Sequence, residues 1–449
     1  MRGGNRYAAL IPLEFLGLFI LAVLWAGWLL APRPADATPR PPPLLAALLL
    51  SPLLFAVLQL TPLPFALWKH LPGHAVYEQT LQLTGALAGG WRALSVSPDA
   101  TAASLLAALP ILAAFLLAYL GTRDQLRTLL RVVVAVAFGE VALGLLQVSG
   151  GVHSPLFFGV MTYGPPVGTF ANRNHYANYI AMALAAYTWL GYESLHHARR
   201  GARAPRGSST FGTGHATALW VAGGLVLVVG ILMSRSRGAT LFGLTMAVAA
   251  LACAAFRING RSRGWRFAVP VALLLIAAAA GMVGFDAVVS RISGAQLAGS
   301  ASFRGELAGS SFEGALAFWP WGSGWGTYDL AFQRFLPASI PVYPNHAHQD
   351  YIEMLFEGGV LFVLLAAAFL WIAGRRATLL LRRARRDRTL DDDAMASLLC
   401  GLGLAGLLLH SLVEFNLRIP ANAILGALLA GVYLRPLSVT RRARAGAPA

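Results

Sequence analysis

Cysteine is almost missing from these 449 residues: Cys253 and Cys400 are the two there are, and both fall inside apolar runs. A free thiol in such a run behaves as a small apolar side chain, which excludes a disulfide framework and leaves no thiolate metal site. The histidines suggest no metal site instead, and no cofactor is expected. Lysine is scarcer still. Lys69 is the only one, so the net charge of +16 is almost wholly arginine. Those arginines sit in short loops without an aromatic-interleaved pattern, which argues against nucleic acid as a partner; membrane topology and anionic headgroups account for them. Nor do the two halves of the chain repeat each other, which removes the simplest pointer to a secondary transporter.

What is abundant is apolar length. Hydrophobic residues make up 57% of the chain and charged residues 12%, and runs of roughly 17 to 25 apolar residues, the length that crosses a bilayer, recur along it. Helical spans are expected near Ala9 to Leu30, Pro43 to Trp68, Thr101 to Leu120, Leu129 to Val148, Asn174 to Tyr192, Ala216 to Met233, Ala239 to Phe256, Phe267 to Phe285, Phe356 to Ala373, Ala396 to Phe415 and Ala421 to Leu434. The expected fold is an all-α, polytopic transmembrane helix bundle of about eleven spans, a single integral membrane domain over residues 1–449. Its surroundings are the lipid bilayer.

Arginine sets the sides. The loops Ala31 to Pro42, Gly121 to Arg131, Glu193 to His215, Arg257 to Arg266, Arg375 to Met395 and the C-terminal tail carry 24 of the 35 basic residues, so they are expected to be cytoplasmic. An odd number of spans then puts the N-terminus outside, at odds with Arg2 and Arg6 ahead of the first helix. Either one helix is miscounted or Met1 lies downstream of a first span. A leader cleaved at Ala35-Asp36-Ala37 is a third reading, but the apolar run before it is longer than an ordinary signal core.

Three long segments fall outside: His70 to Asp99, Ser149 to Arg173, and the roughly seventy residues from Asp286 to Leu355. Long loops carry function more often than short ones. The last, residues 286–355, is expected to contain short helices against the membrane, since Trp319-Pro320-Trp321-Gly322-Ser323-Gly324-Trp325 sets aromatic residues at the interface. It leads into Asn345 to Gly359, two imidazoles and three carboxylates against the start of an apolar helix. Polar groups at that depth are costly unless they work.

Four outward groups could do chemistry, and each also has a plain structural reading. If a helix starts near His348, then Asp350, Glu353 and Glu357 line one face and His348 with Tyr351 another, while His346 points elsewhere. His348 is suited to take a proton from a hydroxyl near neutral pH, or is an interfacial histidine solvated by headgroups. Arg235 and Arg237 lie in the tight turn Ser234 to Gly238, on the side where arginine is disfavoured. A guanidinium fork there suits phosphate, or merely snorkels at a helix end. Arg304 reads as an anion contact or as solvated surface charge. Asn172 is placed to cap a helix that Arg173, Asn174 and His175 open, with Arg173 and His175 facing the outer interface. Asp391-Asp392-Asp393 resembles a cation-holding motif, but it follows an arginine block from Arg382 to Arg388 and reads as counter-charge.

The order Gly168-Thr169-Phe170-Ala171-Asn172-Arg173-Asn174-His175, then Ser236-Arg237-Gly238, then Arg304 followed by Pro320 and Gly322-Ser323-Gly324-Trp325-Gly326-Thr327-Tyr328, then His348-Gln349-Asp350-Tyr351 with Glu357-Gly358-Gly359, resembles the O-antigen ligase and polymerase family of bacterial envelope proteins. The likeness runs from the fourth span to the ninth. It implies an inner-membrane glycosyltransferase that moves a glycan from an undecaprenyl diphosphate carrier to an acceptor hydroxyl at the periplasmic face. The acceptor would be lipid A-core or another glycan, with a chain-length regulator as an accessory partner. At the matching positions the resemblance makes His348, Arg237 and Arg304 catalytic, with Arg235, Arg173, Asn174, His175, His346, Asp350 and Glu357 touching or orienting substrate. Ligases carry Gly, Thr or Tyr where this chain has Phe362, three residues after Gly359, which weighs against lipid A-core ligation specifically. Similar strings also occur in relatives found with exopolysaccharide synthesis genes, with Asn where Gln349 stands; those relatives have one more N-terminal helix.

The chemistry agrees with this reading. A diphosphate-linked sugar already has its leaving group, so the protein needs cationic donors for the developing phosphate charge and a base near the acceptor hydroxyl. Two rival expectations stay open at this point. A flippase or exporter of lipid-linked sugars would share substrate and arginines but needs a continuous polar pathway, and the spans hold few ionisable groups, chiefly Glu14, Glu140, His410 and Glu414. A noncatalytic scaffold would tolerate loss of Arg237, Arg304 or His348.

Overall fold

The structure, a computed structural model, describes residues 7–30, 41–86, 90–159, 164–201, 211–259, 295–387 and 390–437. Its longer helices are α1 (Tyr7–Leu30), α2 (Pro43–Leu60), α3 (Ala75–Leu83), α4 (Pro98–Leu120), α5 (Arg123–Ser149), α6 (Arg173–Gly201), α7 (Phe211–Met233), α8 (Thr245–Asn259), α9 (Ala295–Ala317), α10 (Asp350–Asp387), α11 (Asp392–His410) and α12 (Pro420–Leu434). Eight helices among the described residues are long and apolar enough to cross a membrane, and α12 is a shorter apolar one. The expected all-α polytopic bundle is what the structure has. Its one two-stranded sheet pairs β1 (Pro62–Pro64) antiparallel with β2 (Trp91–Ala93).

The elements depart from the expected spans where a polar or conformational constraint outranks apolarity. The helix expected to run from Pro43 to Trp68 stops at Leu60, because Pro62 and Pro64 enter β1 and proline cannot continue a helix ladder. The helix expected to reach Phe415 ends at His410, and a loop with one 3-10 turn (Asn416–Arg418) follows before Pro420 opens α12. The span expected at Phe267 to Phe285 lies outside the described residues. The long segment after it does contain helices, but α9 is 23 residues long rather than short.

At the centre stands α6. Every residue from His175 to Glu193 is buried, and α5, α7, α8, α11 and α12 all pack on this helix. Protein, not lipid, surrounds it, so it can carry Asn174, His175, Asn178 and Thr188 along its length. Small residues let its neighbours approach: a side chain at Gly243 would meet Ala181, and one at Gly403 would meet Ala185.

The polar groups divide between two ends. At one, Arg123 pairs with Asp393, Arg127 holds Glu193 at 2.7 Å, and Asp391 caps α11 by accepting from Ala394 N at 2.8 Å. The acidic triplet there is a helix cap and counter-charge. At the other end, the long loop folds onto a break in α10. Gly359 has φ 53° and ψ −138°, a conformation open to glycine alone. The break frees the Phe356 and Glu357 carbonyls. Ser323 N donates to the first at 3.0 Å, and Gly324 N at 3.2 Å with Gln59 Nε2 at 2.9 Å to the second, while Val360 N turns to Pro320 O at 2.8 Å. A Cβ on Gly359 would sit 2.1 Å from Pro320 O. Gly359→Ala is therefore expected to cost at least about 1 to 3 kcal/mol, read as a lower unfolding midpoint of the detergent-purified protein; an unchanged midpoint would mean α10 is not broken there.

Candidate functional site

The long loop, the start of α6, the start of α10 and the loop between α11 and α12 meet at this second end. The meeting point is Glu414. Its side chain is 0% exposed, yet four side chains from three elements reach it. Nδ1 of His348 lies 3.1 Å from Oε1, and Nε2 of His175 lies 3.8 Å from the same oxygen. Arg304 Nη2 lies 3.5 Å from Oε2, and Asn174 Nδ2 donates to that oxygen too. Burial by itself would raise the Glu414 pKa; hydrogen bonds and charge from the His175 and His348 rings more than offset it, so the carboxyl is held well below its usual range.

Phe415, the next residue, organises the imidazoles. His346 stacks on its ring at 4.3 Å between centroids, while His175 and His348 meet it edge to face at 4.5 and 4.9 Å. The loop before α10 is folded back by Glu353, which accepts from Ala347 N at 2.8 Å and meets His346 Nδ1 at 2.9 Å. This winding puts His348 at φ 51°, a left-handed conformation uncommon outside glycine. Burial pulls the His346 pKa down, but the Glu353 charge and hydrogen bond outweigh it and the net shift is upward.

Beneath the imidazoles lies an ion cluster. Arg418 Nε is 3.0 Å from Glu353 Oε1, and its Nη2 donates to Glu357. Both carboxylates have 1% side-chain exposure and Arg418 has 11%. Asp350 completes this face by accepting from Leu417 N at 2.9 Å, and its own N–H donates to Ser411 O at 3.1 Å. Asp350, Glu353 and Glu357 do share one face of α10, and that face reads the loop between α11 and α12.

The turn with Arg235 and Arg237 stands alongside. Ser234 and Ser236 are buried and tie it: Ser236 N donates to Ser234 Oγ at 3.1 Å and Ala239 N to Ser236 Oγ at 3.3 Å. Both arginines are left exposed, and neither has a partner among the described residues. Gly238 packs against His410, since a Cβ there would lie 2.4 Å from His410 Nε2. Arg304 is within electrostatic reach of the same ring.

Of the residues marked in the sequence, the structure therefore joins His348, Arg304, Asn174 and His175 on Glu414, and His346 and Glu357 on the neighbouring ion cluster. Arg237 and Arg235 border this group without touching it. Asn172 caps α6 as expected, accepting from Asn174 N at 2.8 Å. Arg173 is exposed in the first turn of α6. His175 does not face the outer interface: it is 2% exposed and turned inward onto Phe415. Three contributors were not marked as site residues: Glu414, Phe415 and Arg418. Their signal is the polar string Glu414-Phe415-Asn416-Leu417-Arg418 between two apolar runs, just before Pro420.

The family model described as O-antigen ligase matches residues 222–367, a stretch that holds Arg237, Arg304 and His348. No curated protein matches the chain.

Proposed function

We propose that this multi-pass membrane protein, whose residues 222–367 match the O-antigen ligase family model, is a glycosyltransferase of the ligase or polymerase type that takes its glycan from undecaprenyl diphosphate and passes it to a glycan or lipid A-core hydroxyl at the periplasmic face of the inner membrane. The observation that carries this reading is the meeting of Arg304 and His348 on one buried carboxylate, beside the exposed pair Arg235 and Arg237. Cations face the place where phosphate charge would develop, and a base lies within reach of it.

The acceptor oxygen forms a bond to the anomeric carbon of the donor sugar, the bond from that carbon to the diphosphate breaks, and the electron pair leaves on the undecaprenyl diphosphate. The hydroxyl proton goes to His348. Arg237 and Arg304 offset the charge gathering on the diphosphate; Arg173, Arg235 and the polar edge at Asn174 and His346 bound the acceptor. Buried Asp350, Glu357 and His175 orient the loops that carry these groups. The arginine-rich opposite end supports the cytoplasmic assignment of the other loops, so that residues 286–355 would be periplasmic.

Each arginine contact to phosphate is expected to contribute about 1.5 to 3 kcal/mol, so Arg237→Ala and Arg304→Ala should each lower transfer roughly 10- to 150-fold in a membrane assay with lipid-linked donor. Lysine, a point charge without the fork, should restore only part. Full activity in either alanine variant would remove that arginine from the diphosphate clamp.

A further inference from the structure

We infer that Glu414 is the positioning residue of the transfer reaction: its carboxylate fixes His348 with a proton on Nδ1 and leaves Nε2 as the acceptor, while its other oxygen holds Arg304 alongside. This rests on the reading above that His348 takes the hydroxyl proton.

An ionised carboxylate only accepts, so the ring nitrogen 3.1 Å from it must carry the hydrogen. In the neutral ring Nε2 then has a free lone pair, and it has no partner among the described residues. The His348 side chain is 29% exposed and that of Glu414 is 0%. Substrate can therefore reach the imidazole and not the carboxylate, which makes Glu414 a residue that acts through another. The other imidazoles are poor substitutes. His175 and His410 are 2% and 1% exposed; His346 has the same arrangement of Nδ1 on a carboxylate, Glu353, but is stacked on Phe415 and less open than His348, 18% against 29%.

Among the described residues the groups on Glu414 are Asn174 and His175 from α6, Arg304 from α9, His348 from the loop before α10 and the N–H of Phe415, with His410 at the end of α11 within electrostatic reach. All of them donate hydrogen bonds or bring positive charge when protonated. A glutamine in this place has the same shape but one oxygen and one NH2 group. It can accept from His348 or from the Arg304 and Asn174 pair, and not from both. The carboxylate also stabilises the imidazolium that proton transfer creates, as the aspartate of a serine protease triad does.

The test uses the full chain in lipid nanodiscs with an undecaprenyl diphosphate-linked glycan and an acceptor glycan. Glu414→Gln is expected to lower kcat by about 10- to 1,000-fold with the donor KM changed less than about threefold, and Glu414→Asp to recover part of the loss. Unchanged kcat in Glu414→Gln, or an Asp variant no better than the Gln variant, overturns the assignment. If Glu414→Gln does not fold, Glu414→Asp is read alone: a kcat loss at constant KM supports the role and a full kcat overturns it. His348→Ala in the same assay separates the two ideas. A full rate there removes the base itself, whereas a lost rate there with full activity in Glu414→Gln removes only the positioning role.

Discussion

Arg418→Ala is expected to destabilise the folded protein by about 3 to 5 kcal/mol, the range for removing one partner of a buried ion pair. The guanidinium sits between Glu353 and Glu357, whose side chains are 1% exposed. It is also the only cation that the described residues place on Glu357. Without it Glu357 is left buried without a cation and Glu353 keeps only His346 and the Ala347 N–H, so much of their desolvation is no longer offset. The damage would not stay local, because Glu353 also holds His346 and the Ala347 N–H, the contacts that wind the loop before α10. Thermal unfolding in detergent measures this. Neutralising one carboxylate, as in Arg418→Ala with Glu357→Gln, should recover part of the loss. A variant as stable as wild type would mean the cluster is solvated and does not anchor the loop.

His348→Ala is expected to lower glycan transfer by about 10² to 10⁴, the usual contribution of a placed general base. Among the described residues the ring makes one hydrogen bond, to Glu414, and one edge contact, to Phe415, and it is partly exposed. Glu414 keeps Arg304, Asn174 and His175 when the ring is lost, so the unfolding midpoint should fall much less than in Arg418→Ala. That contrast with Arg418 separates chemistry from architecture: one variant keeps its stability and does not transfer, the other loses stability. The assay is transfer in membranes adjusted for the amount of folded protein, and wild-type rates in His348→Ala would end the base assignment.

The bundle was legible because bilayer-length apolar runs have few other uses. Each expected span among the described residues falls on a helix, some with both ends within a few residues, while others differ by more: the helix expected from Phe356 to Ala373 runs from Asp350 to Asp387. What was not legible depended on groups distant in the chain. The break in α10 answers to Pro320 and Gly322, which approach Gly359 so closely that no Cβ fits. Apolarity gives no sign of it. Glu414 was visible only as an ionisable residue near the end of a span, and nothing in one sequence says that a carboxylate 66 positions after His348 meets its ring. The motif order did single out His348, Arg304, Asn174 and His175, four of the side chains that gather there. It misread the direction of His175 because a histidine near a helix start looks interfacial until the helix proves to be central.

The most direct measurement is whether the purified chain makes a bond. In proteoliposomes with a labelled undecaprenyl diphosphate-linked glycan and an acceptor glycan, wild-type protein is expected to place label covalently on the acceptor and release undecaprenyl diphosphate, while His348→Ala does neither. Movement of the intact lipid-linked glycan across the bilayer with no labelled acceptor formed would contradict the account and return the chain to the exporters.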